Sequence, residues 1–146
     1  MSVVTFQVPG KPQGKARART FFNAAAGKHT SVTPDRTVLY ENLIKERFLS
    51  CADGFYIDQD KPVFLSICAK FLPPKSTPKK KRKEMMERNI LPLKKPDMDN
   101  IVKVVADALN GVAYHDDTQI ALLAASKIYS DEEGLDIVVG EHKTGK

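Results

Sequence analysis

Hydrophobic positions along the chain follow two periods, and the switches between them mark the elements. Residues 2–8 alternate, with Val4, Phe6 and Val8 on one side, as in a half-buried strand. Pro9, Gly10 and Pro12 end it. Residues 20–23 read as a second short strand, and 24–31 as a flexible turn. Thr33-Pro34 marks a helix start, a cap followed by proline in the first turn. That helix runs from about residue 34 to 49, with Leu43, Ile44 and Phe48 turned inward. Residues 51–60 form a polar loop. Residues 62–71 are the clearest strand: Val63, Leu65, Ile67, Ala69 and Phe71 take one face, and Phe64, Ser66, Cys68 and Lys70 the other. Both faces are largely apolar, which suits the middle of a sheet.

Beyond residue 72 prolines crowd in, and Lys79 to Lys83 is an unbroken basic run. Ser76 or Thr77 is expected to cap a short helix through Glu84, Met85, Met86 and Asn89. Next comes a strongly amphipathic stretch. Ile101, Val102, Val104, Val105, Ala108 and Leu109 make one apolar stripe, with Asp99 as expected N-cap and Gly111 as stop. At about 100° per residue, Lys103 and Asp107 lie opposite that stripe, and Asp99 and Lys103 share a face. Residues 120–129 are ambiguous by period. The turn ending at Gly134 and the alternation of Leu135, Ile137 and Val139 predict a strand that needs a partner. Residues 120–129 are therefore expected to be its hairpin mate, with Lys127 directed toward the 97–117 region, and 140–146 to be a loose tail. The fold class is mixed α/β (α+β): a small sheet with helices packed on it, in one domain spanning 1–146.

Composition narrows the function classes. A chain of 146 residues with 42% hydrophobic content can bury a core, and it has no run long enough to span a membrane. The N-terminus lacks the features of a signal peptide, so a cytoplasmic protein is expected. Cys51 and Cys68 have no CxxC or zinc spacing and read as reduced, structural thiols. A net charge of +5 points to a polyanionic partner. Candidate phosphate contacts are Lys11, Lys15, Arg17 and Arg19 in the N-terminal loop, and Lys79, Lys80, Lys81, Arg82 and Lys83 in the basic run.

The candidate chemistry lies in residues 96–119, where Asp97 with Asp99 and Asp116 with Asp117 flank the amphipathic helix. Each aspartate alone has a structural explanation: a cap, a turn residue, the opening of the next element. Together they are less easily dismissed, because clustered carboxylates repel one another unless a cation neutralises them. Oxygen-rich sites of this kind suit Mg²⁺ or Mn²⁺.

The run PDMDN at 96–100, then Lys103, Asp107-Ala-Leu, Gly111 and Asp116-Asp117-Thr-Gln-Ile, resembles the signature of the RusA family of Holliday junction resolvases. The N-terminal GKPQGKARAR is similar to a basic segment in members from Gram-positive hosts and their phages. The resemblance implies that Asp97, Asp99 and Asp117 bind Mg²⁺ (Mn²⁺ substituting) and that Lys103 is the catalytic lysine. It leaves Asp116 beside the site and gives His115 no role. It further implies a homodimer acting on branched DNA, a four-way junction, through paired nicks during recombination and repair. One complete site of Asp97, Asp99, Lys103 and Asp117 is then expected in each subunit. Two alternatives stand beside it. One is another metal-dependent nuclease: Pro96-Asp97 resembles the opening of the PD-(D/E)xK enzymes, although their later E/D-x-K on a strand is missing. The other is a DNA-binding protein without activity.

Overall fold

The computed structural model describes residues 3–17, 19–32 and 34–143, with the side chains of residues 19, 21, 31 and 32 left aside. In chain order the elements are β1 (Val3–Pro9), β2 (Arg19–Asn23), β3 (Lys28–Val32), α1 (Asp35–Ala52), β4 (Val63–Phe71), α2 (Lys79–Met86), α3 (Met98–Leu109), a 3₁₀ turn (Asp117–Gln119), β5 (Ile120–Tyr129) and β6 (Gly134–Glu141). Four strands form one mixed sheet in the order β1-β6-β4-β5, and β2 and β3 form a separate hairpin. This is the α+β arrangement that the periodicities predict. No helix among the described residues is long and apolar enough to cross a membrane.

The alternating residues of β1, β4 and β6 bury one face of the sheet. Val4, Phe6, Val8, Leu65, Ile67, Phe71, Leu135, Ile137 and Val139 are all buried there. Helix α1 closes that layer with Tyr40, Ile44 and Phe48, and α3 with Ile101, Val104, Val105, Ala108 and Leu109. The apolar stripe of α3 read from the sequence is thus its core face. Phe6 and Phe48 meet edge to face across the layer, with centroids 5.6 Å apart.

Strand pairing departs from expectation. β6 pairs antiparallel with both β1 and β4, whereas β5 pairs parallel with β4 and never touches β6 in the ladder. β5 and β6 are therefore not hairpin mates. The short link after β5 passes the end of β4, where the Ser130 N–H bonds the Phe71 carbonyl at 2.8 Å. β4, every residue of which is buried or half-buried, takes an inner position with β5 on one side and β6 on the other.

Local differences have local causes. Residues 24–31 are a hairpin turn and strand rather than a flexible turn. The Asn23 Oδ1 accepts from the Ala25 and Ala26 N–H groups at 3.1 and 3.2 Å and folds the chain back. Helix α1 extends to Ala52, ending on Asp53 in the left-handed region; the expected cap Thr33 lies outside the described residues. The expected polar loop carries two core residues, Ala52 at the end of α1 and Ile57, whose N–H bonds Ala113 O at 2.9 Å. Helix α2 starts on the basic run itself after Pro78, with no side-chain cap.

Candidate active site

The N-cap of α3 is Asp97, not Asp99. Asp97 is extended (φ −67°, ψ 147°), and its carbonyl accepts from the Asn100 and Ile101 N–H groups at 3.1 Å each. Asp99 falls in the first turn, and no side chain caps the helix. Both carboxylates are exposed and free of protein partners among the described residues. They sit where the positive end of the helix dipole favours negative charge. Lys103 is exposed one turn further on, as its place opposite the stripe implied.

The approach to α3 is held by Lys127. Its Nζ donates to the carbonyls of Lys94 and of Pro96, the latter at 3.0 Å, and lies 5.5 Å from the centroid of the Phe71 ring. Lys127 thus fastens the start of α3 to the C-terminal half of β5 and reaches no site carboxylate. Asp116 likewise has a structural task. Its Oδ2 accepts from Thr118 Oγ1 at 2.6 Å and from Thr118 N at 3.3 Å, while Gln119 Oε1 accepts from Asp116 N at 2.9 Å. This is a capping box on the 3₁₀ turn. The Thr118 bonds hold the Asp116 carboxyl below its ordinary range.

Asp117 stands at the other end of the unit. Tyr114 is buried beside it, and its hydroxyl donates to Ala106 O at 2.7 Å. Burial, followed by the charges of Asp117, Asp107 and Asp116, pushes the Tyr114 hydroxyl far above the ordinary tyrosine value. Lys127 places the start of α3 beside the C-terminal half of β5, while the 3₁₀ turn that carries Asp117 leads into the start of β5; at ~3.3 Å per residue the span 120–127 alone is about 23 Å. Asp97 lies near one end of that span and Asp117 just before the other. Accordingly, among the described residues no three His, Cys, Asp or Glu side chains gather into a group that could hold a metal ion.

The basic candidates divide. Lys15 is already paired: its Nζ lies 3.0 Å from Glu41 Oε2 and 3.4 Å from Asp107 Oδ2. Burial pulls its ammonium down, but the bond to Glu41 and the charges of Glu41 and Asp107 outweigh it and hold the group above the ordinary lysine value. Lys11 and Arg17 are exposed, and Arg19 opens β2. Lys79 to Lys83 are exposed on α2, with only Lys83 near an acid, Glu87 at 3.9 Å. Sequence reasoning missed Arg36 and Lys95. Both line an open groove of about 610 Å³ with the 11–17 segment, Asp97 and Asn100. No spacing signal marks them, since the groove is assembled from three separate parts of the chain. Another concavity, about 770 Å³, lies around residues 52–58 and holds none of the predicted site residues.

The model of the family described as Endodeoxyribonuclease RusA matches residues 9–140, which takes in the basic loop, α2, α3 and both acidic pairs. The chain belongs to the RusA endodeoxyribonuclease family. A further similarity is to the "Uncharacterized protein YqaN" of Bacillus subtilis (strain 168), 48% identical over 63 residues. That match takes in 42% of this chain and 44% of the Bacillus protein, so the chain spans less than half of that relative's length.

Proposed function

We propose that this RusA-family protein is a Mg²⁺-dependent endonuclease that resolves four-way DNA junctions by paired nicks, acting as a homodimer in the cytoplasm. The observation that carries the reading is the pair of free, exposed carboxylates, Asp97 and Asp99, at the N-terminus of α3 beside a cation-lined groove. Mg²⁺ is commonly held by one or two carboxylates, with water and a substrate phosphate completing the shell, and this pair fits that demand. When bound, the ion supplies a water nucleophile at neutral pH and screens the phosphate charge; Mn²⁺ substitutes. Lys103, one turn along α3, neutralises the charge that builds on the phosphoryl oxygens as the water oxygen bonds to phosphorus and the P–O bond to the leaving sugar oxygen breaks. The exposed cations of α2 and of the N-terminal loop hold flanking phosphates and fix register.

The homodimer is supported by β5. It is one of the two edge strands of the sheet, uncharged from Ile120 to Ser126, with Leu122 and Leu123 41% and 50% exposed. A long apolar edge without charge, proline or cover is a surface that proteins ordinarily protect or pair. Two copies can pair antiparallel along β5 about a two-fold axis without opposing like charges. Such pairing carries Asp117 of the partner subunit toward the Lys127 end of the first, where Asp97 and Asp99 lie. The third carboxylate is then supplied across the interface.

The test separates binding from chemistry. Asp97→Asn and Asp99→Asn should each bind a synthetic junction as wild type does and fail to nick it. Mg²⁺ should raise the wild-type melting temperature by binding only the folded state, and Asp97→Asn should gain less. An Asp97→Asn protein that responds to Mg²⁺ as wild type does removes Asp97 from the site.

A further inference from the structure

The groove beside Asp97 is built to a definite plan. Its floor is the 11–17 segment, which is tied down on two sides. The Lys15 N–H bonds Asn100 O at 2.8 Å, and the Ala16 N–H bonds Thr37 Oγ1 at 3.3 Å. The Lys15 side chain adds the links to Glu41 of α1 and Asp107 of α3. Gly14 permits the closest approach: a Cβ there would stand 2.8 Å from the Asn100 Cβ and 3.1 Å from the Pro96 Cβ. The loop is thereby clamped between the first turns of α1 and α3, so the groove is a fixed feature of the fold.

Four cations line it: Lys11 and Arg17 from the loop, Arg36 from the first turn of α1, and Lys95 from the turn before α3. All four are exposed, and none has a protein partner among the described residues. The fifth cation of the groove, Lys15, is neutralised by two acids and contributes no free charge. Among the described residues, one carboxylate lines the groove, that of Asp97. An open groove whose lining combines several unpaired cations from separate parts of the chain with a candidate catalytic carboxylate matches a sugar-phosphate strand, not a compact anion.

We infer that this groove seats the phosphates next to the one being cut, with Arg36 and Lys95 as its positioning residues. The inference rests on the nuclease reading above and adds to it a path for the cleaved strand. Guanidinium and ammonium groups fixed on a rigid wall hold the backbone in one register, so that the neighbouring phosphate falls at Asp97 and Asp99. Neither residue touches the reacting atoms. Their effect is on where the strand lies.

The experiment combines protein and DNA changes. Junctions are synthesised with a single methylphosphonate, which removes one phosphate charge, at each position within several nucleotides of the nick. Binding is measured in the Asp99→Asn background, so that no cleavage intervenes, with melting curves as a check on folding. Arg36→Ala and Lys95→Ala should each weaken binding of the unmodified junction roughly tenfold and lower the slope of log affinity against log salt by about one. At one or two positions beside the cut, the methylphosphonate should weaken the parent protein by a similar factor and weaken the matching alanine variant no further. That non-additivity is a readout a merely structural role would not produce. Losses that multiply at every position overturn the inference, as does an alanine variant that binds with an unchanged salt slope. Both results leave the nuclease reading intact if otherwise wild-type protein still nicks the junction. Failure to bind or nick junctions at all overturns both.

Discussion

Lys15 decides between two kinds of basic residue, and its removal should show which kind it is. The Lys15 side chain is 20% exposed, and its partners Glu41 and Asp107 are 16% and 26% exposed. Exposed ion pairs contribute about 0–1 kcal/mol, while removing one partner of a fully buried pair costs about 3–5 kcal/mol. The Lys15 pairs are part-screened but leave two carboxylates facing each other when the lysine is lost. Lys15→Ala should therefore cost ~2 kcal/mol, or roughly 6 °C in melting temperature at this chain length. The pH dependence has a definite sign. The folded-state pKa of Lys15 is raised, so its contribution is fully present below the ordinary lysine value of 10.5 and fades as pH rises through the folded value. The gap between wild type and Lys15→Ala in urea denaturation should hold from neutral pH up to that range and narrow above it. DNA binding should respond differently. Lys15→Ala should leave the salt slope of junction binding unchanged, whereas Arg17→Ala should lower it by about one. A Lys15→Ala protein as stable as wild type, with a reduced salt slope, would refute this reasoning and return Lys15 to the DNA.

Two further outcomes are expected. Lys103 is exposed and opposite the core face of α3, so Lys103→Ala should change stability by less than ~0.5 kcal/mol while nicking falls on the order of 100-fold; a large loss of stability would make Lys103 structural. A mixed dimer of one Asp99→Asn subunit and one Asp117→Asn subunit, purified through different tags, should nick a cruciform plasmid although each homodimer is inactive. Complementation follows because one of its two composite sites keeps every carboxylate, and its absence would mean that each subunit works alone.

The local patterns that depend on neighbouring residues were legible from the chain alone. Val4, Phe6 and Val8, the stripe of α3 and the alternation of β4 all face the core as their periods required. Strand neighbours were not legible, because alternation says which face is buried and not which strand lies alongside. That is why β5 was expected beside β6 and pairs instead with β4. The N-cap of α3 is Asp97 rather than Asp99, a choice the sequence leaves open because aspartate is a competent cap at either position. The sequence marked two acidic pairs, and the family resemblance singled out Asp97, Asp99 and Asp117, but neither could give their separation, which depends on how α3 and β5 pack. Lys15 looked like its neighbours Lys11 and Arg17, since only packing brings Glu41 and Asp107 to it.

The central claim is activity on branched DNA, and substrate choice tests it most directly. A synthetic four-way junction, a linear duplex of the same sequence and a splayed arm are each incubated with the protein and Mg²⁺, with chelator controls. The account predicts paired nicks in the junction, in strands related by its two-fold symmetry, with little cutting of the other two and none in chelator. Equal cleavage of the linear duplex would contradict it in favour of a general metal-dependent nuclease. Tight junction binding without any cleavage in Mg²⁺ or Mn²⁺ would contradict it in favour of a DNA-binding protein without activity.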